Sequence, residues 1–393
     1  MPLANLNPRA VGLTDALSDD IELLERLFTR VLNEQEGEAF TTLAQRLCKL
    51  AAREDATPEM LHQELPELTD PKTAARVLRA FTVLFQLLNT AEQKEIVRVN
   101  RERAERGADA PRPESIREAV IKLAKSGVSA EQMQEALNAL DIAPTLTAHP
   151  TEARRRAVLD KLLRVAEALA LRATPLTAAR LDSPLSRPTV RAEEALERAL
   201  TELWQTDEIR RASITVSEEV RNALYFFDRT ILEVVAWLHA DLRRALEVAY
   251  PRHEFHLPPF LTYRSWVGGD RDGNPNVTPI VTWQALNEHR RIVLNFYIQR
   301  VTRLRRQLSL SETQVPANDP LTASVLADLE ELALSDEYRR RFGAEPYVLK
   351  LLCMGMRLEA TQAGKNEGAY SSVAAFVADL ELIDGRYAAI MPP

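Results

Sequence analysis

Apolar residues recur at spacings of three and four over much of the chain, which is the spacing of one helix face. Near the start, this pattern predicts two helical segments over residues 19–52, with Gly37 as the break between them. It then predicts a long helix from Thr73 to Arg106. Further helices are predicted over 115–140 (a pair), 153–171, 190–211, 217–248, 282–309, 320–340, 346–363 and 371–384. The pattern therefore predicts a predominantly α-helical protein.

Two short stretches depart from the helical pattern. Residues 143–151 read A-P-T-L-T-A-H-P-T, which is β-prone, and helical spacing resumes after them. This order of strand, turn and helix presents side chains at the carboxyl end of a strand. Residues 263–278 are a second short apolar piece followed by a loop of Gly, Asp and Asn. We therefore predict a helical amino-terminal layer over 1–140, and helices with a few short strands over 141–393.

Composition narrows the class of protein. With 393 residues the chain is too long for one ordinary core, and its formal net charge of −7 argues against nonspecific binding of nucleic acid. Cys48 and Cys353 are far apart and lack metal-ligand spacing, so buried thiols in a reducing cytosol are expected. No apolar run approaches the roughly 20 residues of a membrane helix. We expect a cytoplasmic protein without membrane or nucleic-acid partners.

The first candidate site is His149 with the arginines that follow it. A histidine exchanges protons near neutral pH, and a strand end would place its imidazole at an opening. Arg154, Arg155 and Arg156 follow at the predicted start of a helix. Guanidinium groups and helix-terminal N–H groups both suit phosphate and carboxylate. The alternative is a buried, hydrogen-bonded histidine beside a solvated basic helix face.

The second candidate site is the loop that follows Trp266. Its glycines permit positive φ and close backbone approach. The loop residues of interest, besides Arg271, are Gly268, Gly269, Asp270, Asp272, Gly273 and Asn274. The aspartates and Arg271 could build a charged pocket, or the carboxylates could simply pin the arginine. A calcium loop is excluded, because the glycine position and the missing terminal glutamate do not fit one.

Taken together, these segments resemble the motifs of phosphoenolpyruvate carboxylases. One family motif reads T-A-H-P-T followed by paired arginines, and the other reads S-W-x-G-G-D-R-D-G-N-P-x-V-T. The stretches T-D-E-I-R-R at 206–211, N-T-A-E-Q at 89–93 and E-P-Y at 345–347 also match. The resemblance covers roughly residues 20–385. It departs at Val348, where the family usually has Arg, and at Val267, where it has Met.

The resemblance implies a reaction and roles for several residues. Family enzymes join bicarbonate to phosphoenolpyruvate, giving oxaloacetate and phosphate. The oxaloacetate feeds the tricarboxylic acid cycle. His149 matches the catalytic histidine that removes the carboxyphosphate proton. The arginines that match a sugar-phosphate activator site are Arg155, Arg156, Arg210 and Arg271. The alternative is that these arginines pair with nearby carboxylates. Trp266 is expected to be a packing residue rather than a ligand contact.

The resemblance also implies a fold, a metal and an assembly. We expect the amino-terminal part of a helix-rich α/β, TIM-like barrel, whose first strands would be Thr145–Ala148 and Leu261–Val267. The complete enzyme requires Mg²⁺ or Mn²⁺, whose ligands are not expected in this chain, and it forms a homotetramer. We therefore expect an incomplete and inactive portion that needs the missing carboxyl-terminal half. The alternative function is a noncatalytic anion-binding or scaffold protein derived from that family.

Overall fold

The computed structural model describes residues 2–106, 111–147, 155–172, 188–208, 214–272, 274–314 and 319–390. Within these ranges helices greatly outnumber strands, so the predicted helical predominance is confirmed. The helices are α1 (Asp15–Glu36), α2 (Glu38–Ala51), α3 (Pro58–Glu64), α4 (Pro71–Arg106), α5 (Ile116–Lys125), α6 (Ala130–Ala139), α7 (Arg156–Arg172), α8 (Pro188–Trp204), α9 (Val216–Phe226), α10 (Leu232–Ala249), α11 (Pro279–Gln307), α12 (Asp319–Glu331), α13 (Asp336–Phe342), α14 (Pro346–Gln362) and α15 (Val373–Ile390). The strands are β1 (Thr145–Leu146) and β2 (Arg264–Ser265).

The first helix pair shows how local sequence sets the boundaries. Thr14 is the N-cap of α1, and its hydroxyl accepts a hydrogen bond from the backbone N–H of Leu17 at 3.3 Å. Gly37 ends α1 with a φ of +89° and also precedes α2. Because a positive φ is readily adopted by glycine, the predicted break at Gly37 is confirmed.

The helix predicted over 217–248 is confirmed in extent, but its α-helical form is wrong at one turn. A π-helical turn, Phe227–Ile231, separates α9 from α10. The Phe227 ring makes an edge contact with Tyr263, their centroids 5.5 Å apart. An extra residue in one turn shifts the helix face without interrupting the run of helix formers, so the apolar spacing could not indicate it.

The single helix predicted over 320–340 is also wrong. It consists of α12 and α13, separated by a turn in which Ala333 has a φ of +47°. A left-handed residue cannot continue a right-handed helix. Ser335 then precedes α13 in an extended conformation, which starts a new helix.

The chain forms two compact units. The first comprises Met1–Ala136, Thr151–Ser213 and Asp241–His256. Its core is built from the apolar faces of α1, α2, α4, α7 and α8, with fully buried residues such as Phe28, Leu87 and Leu200. This unit also contains a buried carboxylate, Asp20, which forms ion pairs with Lys94 at 2.5 Å and with Arg172 at 3.4 Å.

The second unit comprises Leu137–Pro150, Ile214–Ala240 and Leu257–Pro393. Its larger apolar cluster joins α11, α12, α14 and α15. Lys350, 1% exposed, lies in the same region and pairs with Asp328 at 2.7 Å and Asp379 at 2.5 Å. A buried ammonium needs such partners, because an unpaired charge in this interior would be strongly unfavourable.

Every helix within the described ranges is too short or too polar to cross a lipid bilayer.

Candidate functional site

The two motif segments are joined by a short parallel ladder. Thr145 is paired with Arg264, and Leu146 with Ser265. An isolated bridge extends the pairing back to Ile142 and Leu261. The hydrogen-bond distances along the ladder are 2.8 Å from Ile142 N to Phe260 O, 2.9 Å from Thr262 N to Ile142 O, 2.9 Å from Arg264 N to Pro144 O, and 2.8 Å from Trp266 N to Leu146 O. Strands at both predicted positions are thus observed.

Because the strands are parallel, the chain leaves both of them at the same edge of the sheet. In the sequence, β1 leads into the T-A-H-P-T motif and β2 into the glycine loop. Ligands of open parallel sheets bind outside the carboxyl ends of the strands, so this edge is the candidate site. His149 and Gly273 lie outside the described residues.

The glycine loop begins with a turn that requires Gly268. This residue has a φ of +80°, which side chains rarely adopt. A Cβ there would lie 2.7 Å from Cγ2 of Val220 and 2.9 Å from Cβ of Ala285. The backbone N–H groups of Gly269 and Asp270 both donate to the carbonyl oxygen of Trp266 at 2.9 Å, which closes the turn. Glycine is therefore needed both for its conformation and for the close approach of α9 and α11.

The two residues that precede Gly268 face in opposite directions. Val267 is 5% exposed and packs with Val220 and Ile292 in an apolar cluster. A valine is therefore well accommodated at this departure from the family motif. The Trp266 side chain is 57% exposed, which is contrary to the expectation of a packing residue. The strand alternates sides at each residue, and burying Val267 leaves Trp266 on the solvent side.

The acidic part of the loop is organised by its own side chains. Oδ1 of Asp270 accepts a hydrogen bond from the backbone N–H of Asp272 at 3.0 Å. Oδ1 of Asn274 accepts one from the backbone N–H of Asn276, also at 3.0 Å. Short polar side chains stabilise turns in this way. Asp270 and Asn274 therefore use their side-chain oxygens to stabilise turns within the loop.

Arg271 is exposed at the tip of the loop. Within the described part of the chain, neither Asp270 nor Asp272 forms an ion pair with its guanidinium group. The alternative that the two carboxylates hold Arg271 by ion pairs is therefore not observed among the described residues. An exposed guanidinium without a carboxylate partner retains its donors for an anion from solution.

Arg155 and Arg156 stand at the start of α7. The carbonyl oxygen of Arg155 accepts the hydrogen bond of Val158 N at 2.8 Å, so Arg155 caps the helix and Arg156 begins it. The Arg155 side chain donates from Nη1 to the carbonyl oxygen of Asp207. Asp207 opens the acidic part of the T-D-E-I-R-R segment, which leads in the sequence to Arg210. Arg210 itself lies outside the described residues.

The structure thus brings together two of the predicted arginine segments. Arg155 contacts the backbone of the T-D-E-I-R-R segment, and both belong to the first unit. Arg271 belongs to the second unit. The contact of Arg155 is with a carbonyl oxygen rather than with a carboxylate, so its charge is not neutralised by Asp207.

Two residues on α4, which no motif had indicated, also contact this segment. Arg79 donates from Nη2 to the carbonyl oxygens of Trp204 and Thr206, the latter at 2.7 Å. Gln86 donates from Nε2 to Oε1 of Glu208 at 2.7 Å. The sequence offered one signal for them: two polar side chains, two helical turns apart, in a largely apolar stretch of α4.

The described residues do not offer a metal site. Among them, no group of three or more His, Cys, Asp or Glu side chains could hold a metal ion. The donor set therefore does not fit the Mg²⁺ or Mn²⁺ implied by the resemblance.

Val348, the other departure from the family motifs, is 4% exposed in α14.

Comparison with known proteins identifies what the chain is similar to. The family model described as phosphoenolpyruvate carboxylase matches residues 17–385. The chain is 40% identical to a phosphoenolpyruvate carboxylase of Rhodothermus marinus, with 79% of this chain and 33% of that protein covered. It is 35% identical to the enzyme of that name from Azorhizobium caulinodans, covering 93% and 40% respectively. The chain thus spans about a third to two-fifths of the length of these curated relatives.

Proposed function

The chain belongs to the phosphoenolpyruvate carboxylase family, and on that premise we propose that it takes part in carboxylating phosphoenolpyruvate. Bicarbonate would attack the phosphoryl group, giving carboxyphosphate and an enolate, and the enolate would capture CO₂ to form oxaloacetate. The observation that carries the proposal is the parallel pairing of β1 with β2. It supports one shared edge for the two family motifs, where side chains from both could act on one substrate.

The proposal gives His149 the role of proton acceptor. Removing the proton of carboxyphosphate releases CO₂ beside the enolate, and the released phosphate can take that proton back. An imidazole suits this exchange because its ordinary pKa is near 6.5. No step depends on a metal ion held by the described residues, although Mg²⁺ or Mn²⁺ is expected for family enzymes.

We assign anion binding to Arg155, Arg156, Arg210 and Arg271. The exposed guanidinium of Arg271 and the helix-terminal position of Arg155 support this assignment. The ligand class would be a sugar phosphate that acts as an effector.

The proposal extends to fold, assembly and location. β1 and β2 would be the first strands of a TIM-like barrel, in a segment over 141–393 that follows a helical layer over 1–140. A two-stranded parallel sheet is unusual alone, because parallel sheets are normally buried on both faces. A homotetramer in the cytoplasm, in which a carboxyl-terminal half completes the enzyme, is the corresponding assembly.

The test is a chimera. Residues 17–385 would replace the matching segment of the Rhodothermus marinus relative, and oxaloacetate would be measured with phosphoenolpyruvate, bicarbonate and Mg²⁺. We expect turnover by the chimera and none by the 393 residues alone. A folded chimera without turnover would contradict the proposal.

A second function is a noncatalytic anion-binding protein. The contact between Arg155 and the T-D-E-I-R-R segment favours it, since it lies within one unit. An inactive but folded chimera, together with phosphate binding by the chain, would support this second function over carboxylation.

A further inference from the structure

The stretch that follows α8 is held by side chains from α7, α4 and α1, the last through a hydrogen bond from Gln205 to Gln35 at 2.8 Å. Arg155, at the start of α7, contacts the carbonyl oxygen of Asp207. Arg79 and Gln86, both on α4, contact the carbonyl oxygen of Thr206 and the carboxylate of Glu208. The stretch 204–208 is therefore contacted at nearly every residue, although it is not itself part of a regular element after Trp204.

Arg79 makes the most specific of these contacts. One guanidinium nitrogen, Nη2, donates to the carbonyl oxygens of both Trp204 and Thr206. Its Cζ also lies 4.6 Å from the ring centroid of Trp204, which is 4% exposed. The planar guanidinium suits this combination of stacking and forked donation, whereas an ammonium does not. Arg79 thereby contacts both the last residue of α8 and the turn that follows it.

Gln86 extends the same contact along α4. It lies seven residues after Arg79, which places both side chains on one face of the helix. Nε of Arg79 and Oε1 of Gln86 are buried, and neither has a partner among the described residues. Buried polar groups left without partners destabilise a fold.

We infer that Arg79, assisted by Gln86, is a positioning residue for Arg155 in the proposed anion site. By holding 204–208 in place, it positions the carbonyl oxygen of Asp207, to which the Arg155 side chain donates. The affinity for a phosphate-bearing anion would then depend on a residue that does not touch the anion. This inference rests on the proposed anion-binding function and identifies how that site is organised.

The test compares two substitutions that preserve net charge. Arg79→Lys keeps the positive charge but loses the planar fork. The matched control is Arg164→Lys, since Arg164 lies on α7 in the same unit and pairs with Glu202 of α8 at 2.6 Å. Inorganic phosphate binding would be measured by titration calorimetry at low salt. We expect Arg79→Lys to weaken binding about tenfold and the control to change it less than about twofold.

Hydrogen exchange supplies the readout that separates positioning from binding. We expect Arg79→Lys to speed amide exchange over 205–208, whereas Arg164→Lys should leave it unchanged. Faster exchange with weaker phosphate binding supports the inference. Faster exchange with unchanged affinity overturns it, because the position of the stretch would not affect the anion. If the unsubstituted chain fails to bind phosphate, the proposed anion site is wrong. If Arg79→Lys also leaves amide exchange over 205–208 unchanged, the positioning role of Arg79 is wrong as well.

Discussion

The backbone N–H of Trp266 donates to the carbonyl oxygen of Leu146 at 2.8 Å, and this is the last rung of the parallel ladder among the described residues. Beyond it, one strand leads in the sequence to His149 and the other enters the turn at Gly268. A residue that disturbs this turn should therefore affect both motif segments.

The turn itself gives the first prediction. Gly268→Ala should lower the free energy of unfolding by about 2–4 kcal/mol, because the added Cβ meets Val220 and Ala285 and an alanine is strained at this φ. Gly269→Ala is the control, since its Cβ would meet nothing nearer than 3.7 Å. Urea unfolding of the two variants checks the difference. Equal stability would mean that α9 and α11 tolerate the methyl group.

The second prediction concerns Arg271. Arg271→Ala should weaken phosphate binding, because a charge-assisted hydrogen bond contributes about 1.5–3 kcal/mol. Binding should also weaken with ionic strength, as expected for an exposed charge. Calorimetry with inorganic phosphate at low and high salt measures both effects. Arg252→Ala, another exposed arginine, serves as the control. Equal affinity of the two variants would remove Arg271 from the anion site.

The third prediction tests the histidine. In the chimera, His149→Asn should reduce oxaloacetate formation by about 10²–10⁴-fold, since an amide cannot accept the proton. Phosphate release from phosphoenolpyruvate should persist in part, because phosphoryl attack does not require this acceptor. His62→Asn, at an exposed position on α3, is the control. Undiminished oxaloacetate formation would show that His149 is not catalytic.

The fourth prediction compares two tyrosines. The hydroxyl of Tyr347, 1% exposed, has no partner among the described residues, whereas that of Tyr370 donates to Asp379 at 2.8 Å. Tyr347→Phe should therefore be neutral or stabilising by up to about 1 kcal/mol. Tyr370→Phe should cost about 1.5–3 kcal/mol, because its acceptor is charged. Thermal unfolding distinguishes them, and similar losses in both variants would contradict the assignment.

The fifth prediction is a dependence on pH. The Arg98 guanidinium, together with the Thr14 hydroxyl, holds the pKa of Glu95 below its ordinary value. Stability from this carboxylate is therefore present above its unfolded pKa of about 4.3 and is lost as pH falls through the lower folded pKa. Glu95→Gln should be less stable at neutral pH and lose less stability on acidification.

Urea unfolding between pH 6 and pH 3 measures this effect. Glu105→Gln is a suitable control, because Glu105 is an exposed carboxylate at the end of the same helix. An equal pH dependence in the Glu95→Gln variant and the unsubstituted chain would contradict the prediction.

The sequence by itself determined most helices and both motifs, because apolar spacing and glycine positions are local properties. Gly37 and the strand-prone residues around Thr145 could be interpreted from a few neighbours alone. The π-helical turn and the positive φ at Ala333 were missed, since neither changes the local composition of a helix-forming stretch.

Tertiary structure alone decided which distant residues meet. Arg79 contacts Trp204 across 125 positions, and only folding places a polar residue of α4 beneath the end of α8. The need for Gly268 likewise depends on Val220 and Ala285, which approach it from two other helices. Contacts between distant segments depend on the packing of whole elements, whereas periodicity reports only which face of each element is apolar.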